Sequence, residues 1–298
     1  MTPGAPGVLA VVGPTASGKS ALGVELALRC NGEVVNADAF ALYRGMDIGT
    51  ATPTAAERRG VPHHLFDLWS VDQPASVVEY QRAARAVITA VLDRGRTPVL
   101  VGGSGLYVRA ALDDIRFPGT DPVLRGELEA ELAAVGPAPL HARLRQLDPA
   151  AAAAILPSNG RRLVRALEVV ALTGSFSATL PSYSDPWLPT TYLGLNPDLP
   201  VLDERIEGRT AAMFAGGLVE EVERLVDAGL ERGPTAGRGI GYAQVLAWRR
   251  AELATLEEAR ADTARATRRL VRRQRSWFRR DPRVAWAPDA ASVLAGRA

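Results

Sequence analysis

The chain has 298 residues, 47% of them hydrophobic and 23% charged, with a net charge of only +2, the make-up of a globular protein of one large or two modest domains. A balance this close to neutral excludes a uniformly basic surface, so any nucleic acid would have to be met by a local patch. The single cysteine, Cys30, excludes an internal disulfide and a cysteine-rich zinc site and reads as a small core residue. No apolar run approaches membrane-span length, and the N-terminal residues lack the basic region and cleavage site of a secretory signal, so a cytoplasmic protein without a membrane partner is expected.

The first predicted elements are a short buried strand, Val8 to Val12, and the loop it enters. Gly13, Pro14, Thr15, Ala16, Ser17, Gly18, Lys19 and Ser20 satisfy the phosphate-loop spacing GxxxxGK followed by Ser or Thr, and an apolar-periodic helix, Ala21 to Leu28, comes next. In that context the loop N–H groups turn inward onto a diphosphate and the helix N-terminus adds the positive end of its dipole. Lys19 supplies a point charge and the Ser20 hydroxyl a ligand for Mg2+. Of the 35 lysines and arginines in the chain, only one, Lys19, is lysine. A compact ammonium fits a tight backbone cradle in a way that a planar guanidinium does not.

A second strand, Gly32 to Ala37, delivers Asp38 at its carboxyl end, where open parallel sheets bind ligands. Phe40 to Pro53 reads as a loop with a short helical turn. The adjacent His63 and His64 have no third ligand nearby in a metal-binding pattern. An amphipathic helix over Ser76 to Asp93 leads to a third strand, Pro98 to Val101, which ends in Gly102, Gly103, Ser104 and Gly105. Those glycines would let the strand end approach a ligand closely. Strand, helix, strand, helix, strand predicts an α/β fold with a parallel sheet.

From Ile115 to Pro189 the pattern turns helical, punctuated by prolines, and strand signal returns only at Thr191 to Leu195. The expected organisation is a phosphate-loop core in two parts, 1–114 and 190–298, with a helical insertion domain at 115–189 and basic C-terminal helices. Asp203 to Ala228 reads as one long helical pattern containing Gly216 and Gly217, and Tyr242 to Arg280 as another helical stretch. Eight of the sixteen residues from Arg268 to Arg283 are arginine, while Leu270, Val271, Trp277 and Phe278 share one face. Arg272, Arg275 and Arg279 are therefore expected on nucleic-acid phosphates, and Arg161, Arg162 and Arg165 of the insertion offer a further basic surface.

A phosphate loop alone does not say what reacts. The guanine-reading motif NKxD is impossible, because the chain has no second lysine. Hydrolytic motors place an Asp at the end of a second buried strand, whereas Pro98 to Val101 ends in Gly-Gly-Ser. Asp38 remains as the acid well placed to accept a proton across a diphosphate. Small-molecule kinases and transferases whose leaving group is diphosphate stay open, as does a non-catalytic RNA-binding ATPase.

The segments GPTASGKS, DAFALYRGMDIGTATP, PHHLFD, VGGSGLY, NGRRLVRALEV, GRGIGY and RRQRSWFR, in this order from about Val8 to Trp286, strongly resemble the tRNA dimethylallyltransferases. The resemblance implies transfer of a prenyl group from dimethylallyl diphosphate to the exocyclic amino group of the adenosine immediately 3′ of the anticodon. It places the family's catalytic Asp on Asp38 and its diphosphate-side arginine on Arg209, and puts Ser104 where the family usually has Thr. It further implies that Mg2+ accompanies the diphosphate. The insertion and the arginine-rich C-terminus would hold the anticodon stem-loop of a tRNA with the target base splayed out, and a monomer is expected. The pattern departs at Ala39 and Ala41, where the family often has Ser and Gln, so contacts made by those two side chains do not carry over.

Overall fold

The computed structural model describes residues 7–177, 180–183 and 186–296. Strand β1 (Val8–Val12) runs through the glycine-rich loop into α1 (Lys19–Arg29). Then follow β2 (Gly32–Asn36), α2 (Ala55–Arg58), β3 (His63–His64), α3 (Val77–Asp93), β4 (Thr97–Gly102) and α4 (Gly105–Leu112). The middle of the chain is helical: α5 (Pro122–Val135), α6 (Pro137–Leu147), α7 (Pro149–Ala153) and α8 (Gly160–Thr173). The last part adds β5 (Thr190–Leu195), α9 (Leu199–Ala215), α10 (Leu218–Asp227), a 3-10 turn (Ala236–Arg238), α11 (Tyr242–Arg249), α12 (Leu256–Phe278), β6 (Val284–Ala287) and α13 (Ala290–Ala295).

All pairings in the six-stranded sheet are parallel, in the order β3-β2-β4-β1-β5-β6. Parallel strands are buried on both faces, which is why VLAVV and PVLV are continuous apolar runs. Alternate residues serve the two faces: Val11, Val34, Val99 and Leu193 pack with Leu22 and Leu26 of α1 and Val293 of α13. Helix α3 covers β2 and β4 with Tyr80, Ala84, Ile88 and Val91. The register sets Val12 beside Gly102 and Asn36 beside Val101, so the carboxyl ends of β1, β2 and β4 finish together.

Two compact units result, Met1–Asp114 with Asp185–Ala298, and Ile115–Ser184. The residues up to Pro189, expected within the insertion, belong to the sheet unit from 185 onward. There Pro186 forms an antiparallel bridge with Asp113, and the Trp187 N–H donates to the Leu112 carbonyl at 3.0 Å. In the helical unit the punctuating prolines Pro122, Pro137 and Pro149 each open a helix, where the missing N–H costs nothing. Leu128, Leu140, Leu144, Leu163 and Leu167 form its core.

Some expected elements divide. The pattern over Asp203 to Ala228 is two helices, α9 and α10, because Gly217 takes φ 98° and ends the helical path. Tyr242 to Arg280 likewise splits into α11 and α12, with Ala251 at φ 57° between them. Strands β3 and β6 lie at the sheet edges and are too short for a period-2 pattern.

Candidate active site

The phosphate loop leaves β1 through Gly13, at φ 141°, where a Cβ would stand 2.3 Å from the Leu195 carbonyl oxygen of β5. Only glycine fits this approach. Lys19 opens α1, and its ammonium donates to the Pro14 carbonyl at 2.7 Å. Burial holds the Lys19 pKa at about 8, with the charge of Asp38 opposing that shift and Arg209 reinforcing it. The hydroxyl of Ser17 is buried without a hydrogen-bond partner among the described residues, and that of Ser20 is exposed beside it. The loop thus holds a desolvated cation and an unspent donor, both of which an anion would satisfy.

Asp38 follows β2 by two residues. Its N–H donates to Asn36 Oδ1 at 2.9 Å, while its Oδ1 accepts the Phe40 N–H at 3.0 Å. Asn36 is pinned in turn, its Nδ2 donating to the Leu65 carbonyl at 2.9 Å and its carbonyl accepting from Tyr80 Oη at 2.9 Å. These bonds orient the Asp38 carboxylate and leave Oδ2 without a partner among the described residues. Ser104 Oγ accepts the Ala39 N–H at 3.3 Å.

Arg209, on α9, donates from Nη1 to Thr15 Oγ1 and from Nη2 to the Thr50 carbonyl, each at 3.1 Å. No acid on its own helix takes it up. Burial lowers its pKa, and Asp38 opposes that shift. One turn earlier Arg205 reaches the Ala16 carbonyl at 3.4 Å.

Two cavities meet at these residues. One, beside the phosphate loop, is lined by Lys19, Ser20, Thr52, His63 and Gly103. The second, of about 310 Å³, has an apolar wall of Phe40, Ile206, Met213, Ile240 and Leu270. Thr15, Asp38, Thr50 and Arg209 line both. The arrangement places an anion cradle on one side of a carboxylate and an apolar chamber on the other.

Several residues that build the site have no local sequence signal. Gln274, buried on α12, accepts the Thr15 N–H on Oε1 at 2.8 Å and donates from Nε2 to the Gly103 carbonyl at 3.0 Å, tying the phosphate loop to the end of β4. Glu221, buried on α10, accepts the N–H groups of Asp47, Ile48 and Gly49 at 3.2, 2.9 and 3.3 Å, together with Tyr242 Oη at 2.6 Å. That carboxylate shapes the loop that presents Thr50. His63 lines the first cavity, and burial lowers its pKa; His64 is instead bound to Glu33 at 2.6 Å.

The glycines after β4 also serve packing, while Gly102 and Gly103 line the cavity beside the phosphate loop. A Cβ on Gly102 would meet the Ala37 backbone at 2.4 Å, on Gly103 Gln274 Nε2 at 2.4 Å, and on Gly105 the Trp277 ring at 2.0 Å. They let α12 lie close to the strand end. Arg165 also departs from expectation, since it is used inside the helical unit: Nη1 donates to Glu168 at 2.7 Å and to the Gly119 carbonyl at 3.0 Å, and Nη2 to the Pro118 carbonyl at 2.8 Å. Arg161 and Arg162 are exposed, as are Arg272 and Arg279. Arg275 is half-buried, with Nη1 enclosed and unpartnered among the described residues, so its guanidinium is not fully presented to solvent.

The sequence model of a family described as IPP transferase matches residues 41–281. The chain is 62% identical over 288 residues to the tRNA dimethylallyltransferase of Salinispora arenicola, covering 96% of this chain and 84% of that one. It is 59% identical to the enzyme of the same name from Thermobifida fusca, covering 98% and 92%. Among solved structures, the full-length tRNA isopentenylpyrophosphate transferase from Bacillus halodurans superposes with a TM-score of 0.71 at 39% identity, covering 98% of this chain and 96% of that one. These likenesses do not favour the kinase or ATPase readings. The chain belongs to the IPP transferase family, the tRNA dimethylallyltransferases.

Proposed function

We propose that this protein transfers the dimethylallyl group of dimethylallyl diphosphate to the exocyclic amino group of the adenosine 3′ of the anticodon in tRNA. The observation that carries this reading is the position of Asp38, shared by the phosphate-loop cavity and the apolar one. The diphosphate lies on the loop amides and Lys19, the five-carbon chain and the target adenine lie in the apolar chamber, and the amine meets the donor at Asp38. The adenine nitrogen forms a bond to C1 of the prenyl group as the C1–O bond breaks, and the bonding pair leaves with diphosphate. The amine proton passes to Asp38 Oδ2, which offsets the weak nucleophilicity of a lone pair delocalised into the ring. Lys19, the loop N–H groups and Arg209 stabilise the charge growing on the leaving oxygens. Ser104 and Gln274 act as positioning residues, on the Asp38 loop and on the phosphate loop.

Among the described residues no cluster of three His, Cys, Asp or Glu forms a metal cage. An exposed Ser20 hydroxyl beside a diphosphate fits Mg2+ nonetheless, since this ion keeps several waters and binds chiefly through substrate phosphates. Held there by Ser20, it would screen the charge of the diphosphate. Arg161, Arg162, Arg272 and Arg279 would meet tRNA phosphates, which position the RNA without reading its sequence. The working unit is a monomer in this reading, and no helix among the described residues is long and apolar enough to cross a membrane. The test is incubation with Mg2+ and unmodified tRNA, with either dimethylallyl diphosphate or ATP. Gain of one prenyl mass on adenosine is expected, and ATP turnover without prenylation would refute the reading.

The pKa of Lys19 gives a pH dependence with a definite sign. The folded value of about 8 lies below the ordinary 10.5, so the charged form costs stability at neutral pH, and that cost fades as pH rises from 8 towards 10.5. A bound diphosphate favours the charged form and raises the pKa, so above about pH 8 binding must take up a proton. Inorganic diphosphate affinity is expected to weaken as pH rises through about 8, with the slope approaching tenfold per unit further above it. Calorimetry at pH 9 in buffers of different ionisation enthalpy should report proton uptake. A flat affinity across that range would show that Lys19 is charged in the free site.

A further inference from the structure

Glu221, on α10, is a buried carboxylate with no cationic partner among the described residues. Its bonds come instead from the N–H groups of Asp47, Ile48 and Gly49 and from Tyr242 Oη. Burial, and then the charge of Glu221, push the Tyr242 pKa above its ordinary range, so the phenol is the donor of that pair. An anion held out of water without a counter-charge is costly, and a cation lies within reach of the same backbone segment. That cation is Arg209, on the preceding helix α9.

The hydrogen bonds between the two side chains form an unbroken series. Arg209 Nη2 donates to the Thr50 carbonyl at 3.1 Å, and the N–H of the same peptide unit, on Ala51, donates to the Ile48 carbonyl at 3.1 Å. The N–H of that second unit, on Gly49, donates to Glu221 Oε1 at 3.3 Å. Two peptide groups thus connect a guanidinium to a carboxylate, both polarised in the same sense. Bonds in such a series strengthen one another, and those to a charged partner are its strongest members. The carbonyls of Met46 and Asp47 are taken inside the turn, by Thr50 Oγ1 and by the Thr52 N–H, so the segment closes on itself around this series.

The arrangement resolves a conflict at the leaving group. A carboxylate bonded directly to Arg209 would aim the guanidinium but offset the charge that a departing diphosphate needs. Both hydrogen-bond partners of Arg209 are neutral, the Thr15 hydroxyl and the Thr50 carbonyl. With the acid placed two peptide groups away, the aim is fixed and the positive charge stays directed at the cradle.

We infer that Glu221 is a positioning residue for the departure of diphosphate, fixing the aim of Arg209 through the Ile48–Gly49 and Thr50–Ala51 peptide groups. This rests on the proposed prenyl transfer, in which Arg209 faces the leaving oxygens.

The test is a double-mutant cycle in the full-length protein, assayed with Mg2+, dimethylallyl diphosphate and unmodified tRNA. Glu221→Gln retains the shape but removes the charge and sets an amide group among the N–H donors of the turn. It should lower kcat/KM for the donor by about tenfold, and by no less than about threefold, the scale for misplacing one group at the reacting centre. KM for tRNA should stay within about threefold of wild type, and in an Arg209→Gln background, where nothing is left to aim, the same change should cost less than about threefold. A merely structural role gives another pattern, because a loosened fold adds its loss to that of Arg209→Gln in full. A further loss of about threefold or more in that background, a Glu221→Gln protein within about threefold of wild type, or a loss carried by KM for tRNA would each overturn the inference. A thermal melt accompanies every variant. If Glu221→Gln is unfolded at the assay temperature, Glu221→Asp, which retains the charge but withdraws it from the turn, takes its place in the cycle under the same limits. A wild type that transfers no prenyl group to tRNA would instead overturn the functional reading on which the inference rests.

Discussion

Asp38→Asn is expected to lower kcat by roughly 10² or more, with RNA affinity within about twofold of wild type. The substitution retains shape, and an Asn carbonyl can still accept the Phe40 N–H that now bonds Asp38 Oδ1. It replaces Oδ2, the oxygen without a partner, by a donor that cannot take a proton from the adenine amine. A side effect must be separated from this one. The Asp38 carboxylate favours the charged form of Lys19, so its removal lowers the Lys19 pKa further and weakens diphosphate binding at high pH. Single-turnover rates at pH 7 with saturating donor isolate the chemical step. A variant that retained a third or more of the wild-type rate there would remove Asp38 from proton transfer.

The second large effect belongs to Arg209. Arg209→Gln is expected to reduce kcat/KM for the donor by about 10² to 10³, the range for loss of one preorganised donor from a site where charge develops. The guanidinium reaches Thr15 Oγ1 and the Thr50 carbonyl at once, so it is aimed before any substrate arrives. Arg209→Lys retains the charge but loses the planar fork, and recovery of only a small part of the activity is expected. Removing a neighbouring positive charge should also raise the Lys19 pKa, so the high-pH limit of diphosphate binding moves upward in Arg209→Gln. If that limit moved while kcat/KM fell less than threefold, Arg209 would be a tie between two loops with no part in charge stabilisation.

What could be read from the sequence follows the range of the interactions. The phosphate loop is a local motif, and Asp38 is legible because it directly follows an apolar run; both are defined by neighbours along the chain. Gln274 and Glu221 are not, because each acts on backbone groups far away in sequence: Thr15 and Gly103 for one, Asp47 to Gly49 for the other. In a basic amphipathic helix Gln274 is one more polar residue, and in LVEEVERL Glu221 looks like a solvated acid. For the glycines after β4 only part of the reason is legible. A need for a bare backbone is legible, but the Trp277 ring that creates it at Gly105 lies on a helix much later in the chain. Arg165 shows the reverse: the sequence presents it as one of a basic cluster, and its bonds to the distant carbonyls of Pro118 and Gly119 are not legible there.

The bridge between Asp113 and Pro186 bears on how such a protein can acquire an extra module. The helical unit leaves and rejoins the sheet unit at two residues that are already neighbours, so the chain between them can lengthen without stretching the core. The central pairing of β1 with β5 must still close a loop from Val8 to Thr190. Loop-closure entropy grows only with the logarithm of length, so the residues of the helical unit add about 0.4 kcal/mol to that closure. An insertion that folds around its own leucine core soon offsets so small a penalty. The sheet can therefore accept a change in the length of this segment while the cavities at its carboxyl edge stay fixed.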